Sequence, residues 1–297
     1  MTILTEIKTT FLRTTLLVVI TSVSLPISVL VNAKQPVHYN LARQEQEHGK
    51  PELISFPSGD LILKGFLYKP EGTGPFPAII WNHGSEKLPG QQPDLARFYT
   101  SKGFVFFLPH RHGHGRSPGD YIQDLIEQFK AKENNRMLYE KYVVKLQEEY
   151  NKDVVAAVEW LKSQPFVDQK SIVMSGCSYG GTQTLLTSSK GLGLRAFVPF
   201  APAAMSWSNT ELQNRLLEAV RNSKAPLFLI QARNDYSISP SEVLGPVIKK
   251  QNPSNRAKVY PPFGSTNQEG HYGFATTANG IAIWGSDVLA FLEAAIK

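Results

Sequence analysis

The chain has 297 residues, of which 42% are hydrophobic, and a formal net charge of +6, a composition that suits one folded domain with a sizeable core. Because its basic residues are scattered among acidic ones, we expect neither nucleic acid nor an acidic polymer as a partner. The single cysteine, Cys177, excludes an intrachain disulfide and a cysteine-based metal site.

The amino terminus resembles an export signal. Lys8 and Arg13 precede a mostly apolar stretch over residues 16–31, and small residues lead up to Ala33. This pattern predicts a signal peptide over residues 1–33 that is cleaved after Ala33, and hence a periplasmic or secreted protein. The alternative is an uncleaved membrane anchor, although the stretch is shorter than the roughly 20 apolar residues of a spanning helix. No stable membrane partner is otherwise expected.

Residues 34–297 are predicted to form a single α/β domain. Two runs at 53–56 and 61–68, joined by turn residues, predict an antiparallel hairpin at a sheet edge. Beyond them, apolar runs alternate with helix-like patterns, which predicts a mostly parallel sheet covered by helices on both faces. The predicted strands are 78–81, 104–108, 171–174, 195–199, 226–230 and 257–260, and the predicted helices are 94–101, 152–163, 182–188, 211–222 and 285–297.

The segment before the helix at 152–163 is longer than a strand-to-helix connection requires, which is about 2–6 residues. Its apolar residues recur at helical spacing with charges between them. We predict a helical insertion over about residues 112–150, formed by two amphipathic helices or one bent helix. It either forms a partial lid over a substrate pocket or extends outward with a solvated face, and the sequence leaves both readings open.

The motif GCSYGG over residues 176–181 follows an apolar strand and precedes a helix-like stretch. A G-x-S-x-G pattern in this setting is typical of a nucleophile elbow, a sharp turn that exposes a serine hydroxyl. The glycines give room for the turn and for close approach of the helix. Ser178 is therefore the predicted nucleophile. Cys177 is predicted to point back under the sheet as a small buried hydrophobe.

Nucleophile elbows of this type are followed along the chain by an acid and then by a histidine. His271 is the only histidine after Ser178, so it is the predicted general base. Asp235 is the only aspartate between them, and it follows an apolar run that predicts a buried parallel strand. It is therefore the predicted acid. Glu269, two residues before His271, remains a minor alternative.

A second loop is predicted to complete an oxyanion hole. An apolar strand ends in the sequence NHGS over residues 82–85. The backbone N–H of Gly84 or Ser85 would donate to the substrate oxygen together with that of Tyr179. The alternative is a plain turn, with His83 packed against the sheet.

Histidines alternate with other residues in HRHGH over residues 110–114. Alternate histidines can converge on zinc. No cluster of Asp or Cys elsewhere in the sequence completes such a site, so we predict no metal and no other cofactor. This glycine-rich turn is expected instead to shape the floor beside the elbow. The candidate substrate-binding residues are His83, Arg111, His112 and Trp207.

Taken together, these motifs resemble the α/β-hydrolases, and among them the dienelactone hydrolase-like serine esterases. The matching residues lie within about 55–297 and comprise NHG at 82–84, RHGHGRS at 111–117, the elbow, Asp235 and His271. The resemblance implies an α/β-hydrolase fold and a small-molecule ester substrate. Dienelactone hydrolases proper carry cysteine at the nucleophile position, where this chain has Ser178, so dienelactone itself is not implied as the substrate.

The sequence thus predicts two-step acyl transfer by Ser178, Asp235 and His271, with water releasing the acyl group. Carboxylic esters are the expected substrates. One alternative is hydrolysis of amides or peptides by the same triad. Another is a catalytically inactive hydrolase fold that acts as a binding protein. No oligomeric state is indicated.

Overall fold

The computed structural model describes residues 50–297, so the predicted signal peptide lies outside the described residues. The strands in that part are β1 (Glu52–Ser58), β2 (Leu61–Tyr68), β3 (Phe76–Asn82), β4 (Val105–Pro109), β5 (Val167–Cys177), β6 (Phe197–Phe200), β7 (Phe228–Ala232) and β8 (Arg256–Tyr260). The helices are α1 (Pro93–Thr100), α2 (Ile122–Lys132), α3 (Arg136–Lys162), α4 (Tyr179–Ser188), α5 (Thr210–Arg221), α6 (Ser239–Gln251) and α7 (Ala278–Ile296). A π-helical segment, Glu269–Gly273, and a helical turn, Phe274–Thr276, precede α7.

One sheet contains all of these strands, in the order β1-β2-β4-β3-β5-β6-β7-β8. The pairings from β4 through β3 to β8 are parallel, whereas β1 with β2 and β2 with β4 are antiparallel. Ala78 and Ile80 of β3 pack into a core with α3 to α6, while Ile79 and Trp81 pack into a second core with α1 and α7. Strands buried on both faces have continuous apolar sequences. The predicted mostly parallel sheet with helices on both faces is confirmed.

The predicted edge hairpin is also present. Ser58 lies opposite Leu61, so Gly59 and Asp60 form the turn. Gly59 has a φ of 54°, a left-handed conformation that glycine adopts without strain. Pro57 belongs to β1 rather than to the turn. Proline lacks the N–H that a central strand needs, but β1 lies at the edge of the sheet, where proline is tolerated.

The helical insertion takes the form of two helices, α2 and α3. The second is longer than predicted, because it continues without a break into the helix expected at 152–163. Its 27 residues include neither glycine nor proline, so nothing in the sequence interrupts it. Asn135 caps its amino terminus, with the side-chain oxygen accepting from the Leu138 N–H at 3.2 Å.

Two helical features differ from the prediction. The sequence analysis did not predict α6, whose segment carries Pro240, Gly245 and Pro246, residues that usually signal turns. The proline at position 240 lies in the first helical turn, where its missing N–H costs nothing. The last helix begins at Ala278 rather than at residue 285, because the Thr277 side chain caps it and tertiary contacts outweigh the poor helix propensity of its glycines.

By length and composition α7 would also suit a membrane span, a test that buried core helices pass as well. Trp284, Val288 and Leu292 on this helix are fully buried in the core shared with the sheet. The Trp284 Nε1–H donates to the Phe274 carbonyl at 2.7 Å, which joins α7 to the segment that carries His271. The helix therefore serves as a core layer of the described fold.

Candidate active site

Ser178 occupies the sharp turn between β5 and α4. Its φ of 59° and ψ of −119° are unusual for a residue with a side chain, and such strain is held in place by surrounding structure. The Ser178 N–H donates to the Phe200 carbonyl at 3.0 Å, and its carbonyl accepts from Thr182 at 3.0 Å. The residue thus stands at the carboxyl end of the central strand, where parallel sheets present functional groups.

The glycines of the motif are required by neighbouring strands as well as by the turn itself. A Cβ at Gly180 would lie 1.9 Å from the Asn82 carbonyl oxygen of β3, and one at Gly176 would lie 2.6 Å from the same atom. A Cβ at Gly181 would meet the Phe200 carbonyl of β6 at 2.4 Å. Non-bonded carbon and oxygen atoms do not approach this closely. The elbow can therefore pack against β3 and β6 only if all three positions lack a side chain.

The structure brings His271 and Asp235 together. The two side chains are buried, and the distance from His271 Nδ1 to Asp235 Oδ1 is 2.7 Å. Because the carboxylate can only accept, this contact places the proton of a neutral imidazole on Nδ1. The opposite nitrogen, Nε2, is buried and has no hydrogen-bond partner within residues 50–297. It is therefore the basic nitrogen of the pair.

Asp235 is itself held by residues that the sequence analysis did not identify. The Gln231 side-chain amide donates to Asp235 Oδ2 at 2.8 Å, and Gln231 in turn accepts from the Ser241 hydroxyl at 2.6 Å. The Tyr236 N–H donates to Asp235 Oδ1 at 2.6 Å. These bonds fix the carboxylate that orients His271. The one available signal was a polar glutamine within an otherwise apolar strand.

Glu269, the alternative acid, lies elsewhere. It is exposed, and its carboxylate accepts from the backbone and side chains of Ser265 and Thr266 at 2.8–3.2 Å. These bonds hold its pKa below the usual value. The contact to the His271 imidazole comes from Asp235 instead.

His271 approaches the elbow through its backbone. Its carbonyl faces the Cys177 Sγ at 3.6 Å, so it is close to the residue immediately before Ser178. Burial raises the pKa of the Cys177 thiol far above its ordinary value, which keeps it neutral. The prediction that Cys177 points back and behaves as a buried hydrophobe is confirmed, since its exposed fraction is 1%.

The residues predicted for the oxyanion hole flank the elbow. Tyr179 is the first residue of α4, so its N–H has no partner within the helix. Gly84 and Ser85 lie in the loop after β3. The Arg111 Nη2 donates to the carbonyls of His83 and Gly84 at 2.8 and 2.6 Å. This guanidinium therefore fixes the backbone of the loop from below.

A carboxylate lies beside the same loop, although the sequence analysis did not identify it. A Cβ at Gly84 would be 2.4 Å from Glu86 Oε2, and the Tyr272 hydroxyl donates to Glu86 Oε1 at 3.3 Å. Burial raises the pKa of Glu86, and the backbone N–H groups of Glu86 and Gly84 and the charge of Arg111 partly offset that rise.

Three histidines lie below the loop. The His83 ring centroid is 4.8 Å from that of His114 and 5.9 Å from that of His110. Burial, together with the nearby charge of Arg111, lowers the pKa of His110 to about 4 and that of His114 to about 3, and also lowers the pKa of His83. Among residues 50–297, no group of three or more His, Cys, Asp or Glu side chains is arranged to hold a metal ion.

None of the four candidate substrate contacts, His83, Arg111, His112 and Trp207, lines the cavity that opens beside Ser178. His83 and Arg111 are 1% exposed and bond to the loop backbone. The His112 backbone N–H and ring Nδ1 contact the Asp153 carboxylate at 2.8 and 2.5 Å. Trp207 packs into the hydrophobic core on the side of the sheet that carries α3 to α6.

A cavity of about 300 Å³ opens beside Ser178. Helices α2 and α3 form one wall, and the elbow, the start of α4, the loop after β3 and the loop after β6 form the rest. The insertion thus lines the cavity beside Ser178, while the part of α3 beyond residue 150 packs in the core. The lining residues are Ser85, Gln123, Ile126, Tyr139, Val143, Gln147, Ser178, Tyr179, Thr182, Ala203, Met205 and Ser206.

Comparisons with known proteins agree with this architecture. The model of the family described as "Dienelactone hydrolase family" matches residues 63–279. Polyketide transferase grgF from Penicillium sp is 26% identical over 187 residues, which cover 60% of this chain and 56% of that protein. The chain therefore spans little more than half the length of this curated relative.

Solved structures show the same fold at low identity. Acylaminoacyl peptidase from Pyrococcus horikoshii is 18% identical, with a TM-score of 0.66, over 88% of this chain and 44% of the peptidase. The esterase Pf2001 from Pyrococcus furiosus is 18% identical, with a TM-score of 0.60, over 84% of this chain and 94% of the esterase. At this identity the likeness concerns the fold alone.

Proposed function

This chain belongs to the dienelactone hydrolase family, and on that premise we propose that it is a serine hydrolase that cleaves carboxylic esters through an acyl-enzyme intermediate. The observation that carries the proposal is the buried pair of His271 and Asp235, 2.7 Å apart, beside a serine in a strained elbow. A nucleophile, a base and a group that orients the base are the three elements that serine-based acyl transfer requires.

In the proposed reaction, the Ser178 Oγ attacks the ester carbonyl carbon while His271 Nε2 accepts the hydroxyl proton. Asp235 keeps the imidazole in the tautomer with Nδ1 protonated and stabilises the imidazolium that forms. His271 then gives its proton to the departing alcohol. Water, deprotonated by the same nitrogen, attacks the acyl-enzyme and releases the carboxylic acid and the free serine.

The developing negative charge on the carbonyl oxygen is proposed to face the N–H of Tyr179 and that of Gly84 or Ser85. Preorganised donors of this kind contribute roughly 3 kcal/mol of transition-state stabilisation each. Arg111, bonded to the Gly84 carbonyl at 2.6 Å, would hold the loop in position and add positive charge beneath it. We therefore expect Arg111 to act as a positioning residue.

Turnover of p-nitrophenyl esters from acetate to decanoate by the purified full chain tests this proposal. Ser178→Ala is expected to reduce kcat by roughly 10⁴-fold or more. Asp235→Asn is expected to cost about 10⁴-fold, because the amide favours the wrong imidazole tautomer. Ser189→Ala, a serine at the far end of α4, serves as the matched control and should leave kcat unchanged.

The same experiment separates the alternatives. An anilide or peptide substrate turned over faster than any ester would make the chain an amidase or peptidase. Inactivity toward every substrate, together with failure of a fluorophosphonate probe to label Ser178, would contradict the serine-hydrolase proposal and favour a binding protein.

Export is a separate part of the proposal and is supported only by the sequence pattern of residues 1–33. Expression of the full chain with its native start, followed by sequencing of the amino terminus of the protein recovered outside the cytoplasm, tests it. A first residue at Lys34 is expected. An intact Met1 on membrane-bound protein would indicate the uncleaved anchor instead.

A further inference from the structure

We propose that the cavity beside Ser178 binds an acyl group that carries an uncharged hydrogen-bonding group, an amide or a hydroxyl, and that Gln147 recognises this group. The inference rests on the proposed function, because it takes the cavity as the site of the acyl group. It goes further by naming a substrate class and the residue that selects it.

One face of α3 forms a wall of the cavity. Tyr139, Val143 and Gln147 all line it, and their spacing of four residues places them on the same side of a helix. The first two present a phenol ring and an aliphatic group, whereas the third presents an amide. A hydrocarbon chain in the cavity could not hydrogen-bond to an amide at that position, whereas polar groups in binding pockets usually orient a ligand.

The Gln147 side chain is 5% exposed. Its Oε1 atom is buried and has no hydrogen-bond partner among residues 50–297. A buried polar group without a partner is unfavourable because it has lost its hydrogen bonds to water, so each such group in a folded protein calls for an explanation. Since Gln147 lines the cavity, a ligand there can supply the missing partner.

The position of Gln147 is fixed from behind. Its backbone carbonyl accepts from the Gln183 side chain of α4 at 3.0 Å. The Gln183 side-chain oxygen in turn accepts from the Asn151 amide at 2.8 Å. These buried bonds tie α3 to α4, the helix that begins at the elbow, so the backbone that carries the Gln147 side chain is held in a constant relation to the nucleophile.

A second cavity atom has the same character. The Tyr179 hydroxyl also lacks a hydrogen-bond partner within residues 50–297, and its side chain is 8% exposed. Of the twelve lining residues, all within the described part of the chain, none carries a charge. The Arg111 guanidinium lies 4.5 Å from the centre of the Tyr179 ring, but it is not among the lining residues and donates to the carbonyls of His83 and Gly84. A carboxylate or an ammonium group on the acyl chain would therefore be desolvated without a counter-ion in the cavity wall. The complementary group is neutral and both donates and accepts, as an amide or a hydroxyl does.

Matched pairs of p-nitrophenyl esters test the inference. The esters of N-acetyl-β-alanine, N-acetyl-4-aminobutyrate and N-acetyl-6-aminohexanoate each have a hydrocarbon counterpart of equal chain length: hexanoate, heptanoate and nonanoate. The quantity measured is the ratio of kcat/KM for the amide-bearing ester to that for its counterpart. At least one pair is expected to favour the amide with the native chain.

The decisive comparison is Gln147→Met, which keeps the length of the side chain and removes its hydrogen bonding. It is expected to lower that ratio by about 5- to 150-fold, the factor that corresponds to leaving the amide of the substrate buried without a hydrogen-bond partner. Gln128→Met is the matched control, because Gln128 is an exposed glutamine on α2 that does not line the cavity. It should leave the ratio unchanged.

An unchanged ratio in Gln147→Met, an equal change in Gln128→Met, or preference for the hydrocarbon in all three native pairs would overturn the inference. Labelling of Ser178 by a fluorophosphonate and turnover of the acetate ester report on the proposed function independently. If both of these fail, calorimetric binding of the corresponding N-methylamides to the full chain tests the recognition without catalysis. Weaker binding of N-acetyl-β-alanine N-methylamide than of N-methylhexanamide, or equal binding, would then overturn it.

Discussion

Replacing His114 with asparagine is expected to make the protein less sensitive to mild acid. The His114 side chain is 1% exposed, its Nδ1 faces the His112 carbonyl at 2.9 Å, and its Nε2 has no partner within residues 50–297. Protonating Nε2 would create a buried cation without an acceptor, near the guanidinium of Arg111. Burial first, and that charge second, lower the pKa of His114 to about 3.

The size of the effect follows from proton linkage. The unfolded chain titrates at the ordinary value for histidine, about 6.5, so the group is roughly nine-tenths protonated between pH 5 and 6. The folded chain stays neutral there. Because the folded state binds fewer protons than the unfolded state, protonation of His114 in the unfolded chain lowers the free energy of unfolding. The full free energy of unfolding is present above pH 6.5, and it falls as the pH is lowered towards about 3. A difference of one bound proton changes the free energy of unfolding by about 1.36 kcal/mol per pH unit. With nine-tenths of a proton, His114 contributes about 1.2 kcal/mol per pH unit between pH 5 and 6.

Urea unfolding at pH 5.0, 5.5 and 6.0, followed by tryptophan fluorescence, measures the slope of the free energy of unfolding against pH. The slope of His114→Asn should be smaller than that of the native chain by about 1.2 kcal/mol per pH unit. Asparagine keeps a donor near the His112 carbonyl, so the folded structure should persist. Equal slopes in the two proteins, or an imidazole resonance of His114 that titrates near pH 6.5 in the folded state, would refute the reasoning.

Three further changes test the packing and charge of the site. Gly180→Ala would place a methyl group 1.9 Å from the Asn82 carbonyl, so we expect a melting temperature lower by several degrees and loss of hydrolase activity. An unchanged melting temperature would show that the elbow can accommodate the methyl group. Glu86→Gln should increase the free energy of unfolding relative to the native chain by more at pH 7 than at pH 4, because burial raises the pKa of the carboxyl and the folded state favours its neutral form. Urea unfolding of both proteins at the two pH values measures this difference. The same difference between variant and native chain at both pH values would contradict the reasoning. Asn209→Ala should lower the free energy of unfolding in urea by about 1 kcal/mol, because the Asn209 side-chain oxygen accepts from the Leu212 N–H at 2.9 Å and caps α5. No measurable loss would mean that water replaces the cap.

The insertion illustrates how a sequence pattern leaves alternatives that packing resolves. Helical spacing over residues 112–150 predicted helices but left open whether they cover the elbow. In the structure, the rings of Phe129 on α2 and Tyr142 on α3 stack with a centroid distance of 3.9 Å. The Tyr150 hydroxyl donates to the Asp120 carbonyl at 2.5 Å. The first contact joins the two helices, and the second joins α3 to the segment before α2. No local pattern specifies these contacts, because they depend on how distant residues meet.

Local sequence determined the features that depend on neighbours along the chain. The elbow was predictable because its glycines are close in sequence to the serine, and the parallel strands were predictable because burial on both faces requires continuous apolar runs. The pairing of His271 with Asp235, 2.7 Å apart, was predicted from order alone, because few candidates follow Ser178. Its catalytic role remains a prediction.

Only the tertiary structure decided which distant groups support these residues. Gln231 holds Asp235, Arg111 holds the loop that contains Gly84, and Gln147 faces the cavity without a partner. The sequence does not indicate these roles, because an isolated polar residue has the same sequence pattern whether its side chain faces solvent, a neighbouring carbonyl or a ligand. The physical reason is that burial and hydrogen-bond partners are set by packing between elements, which local propensity does not encode.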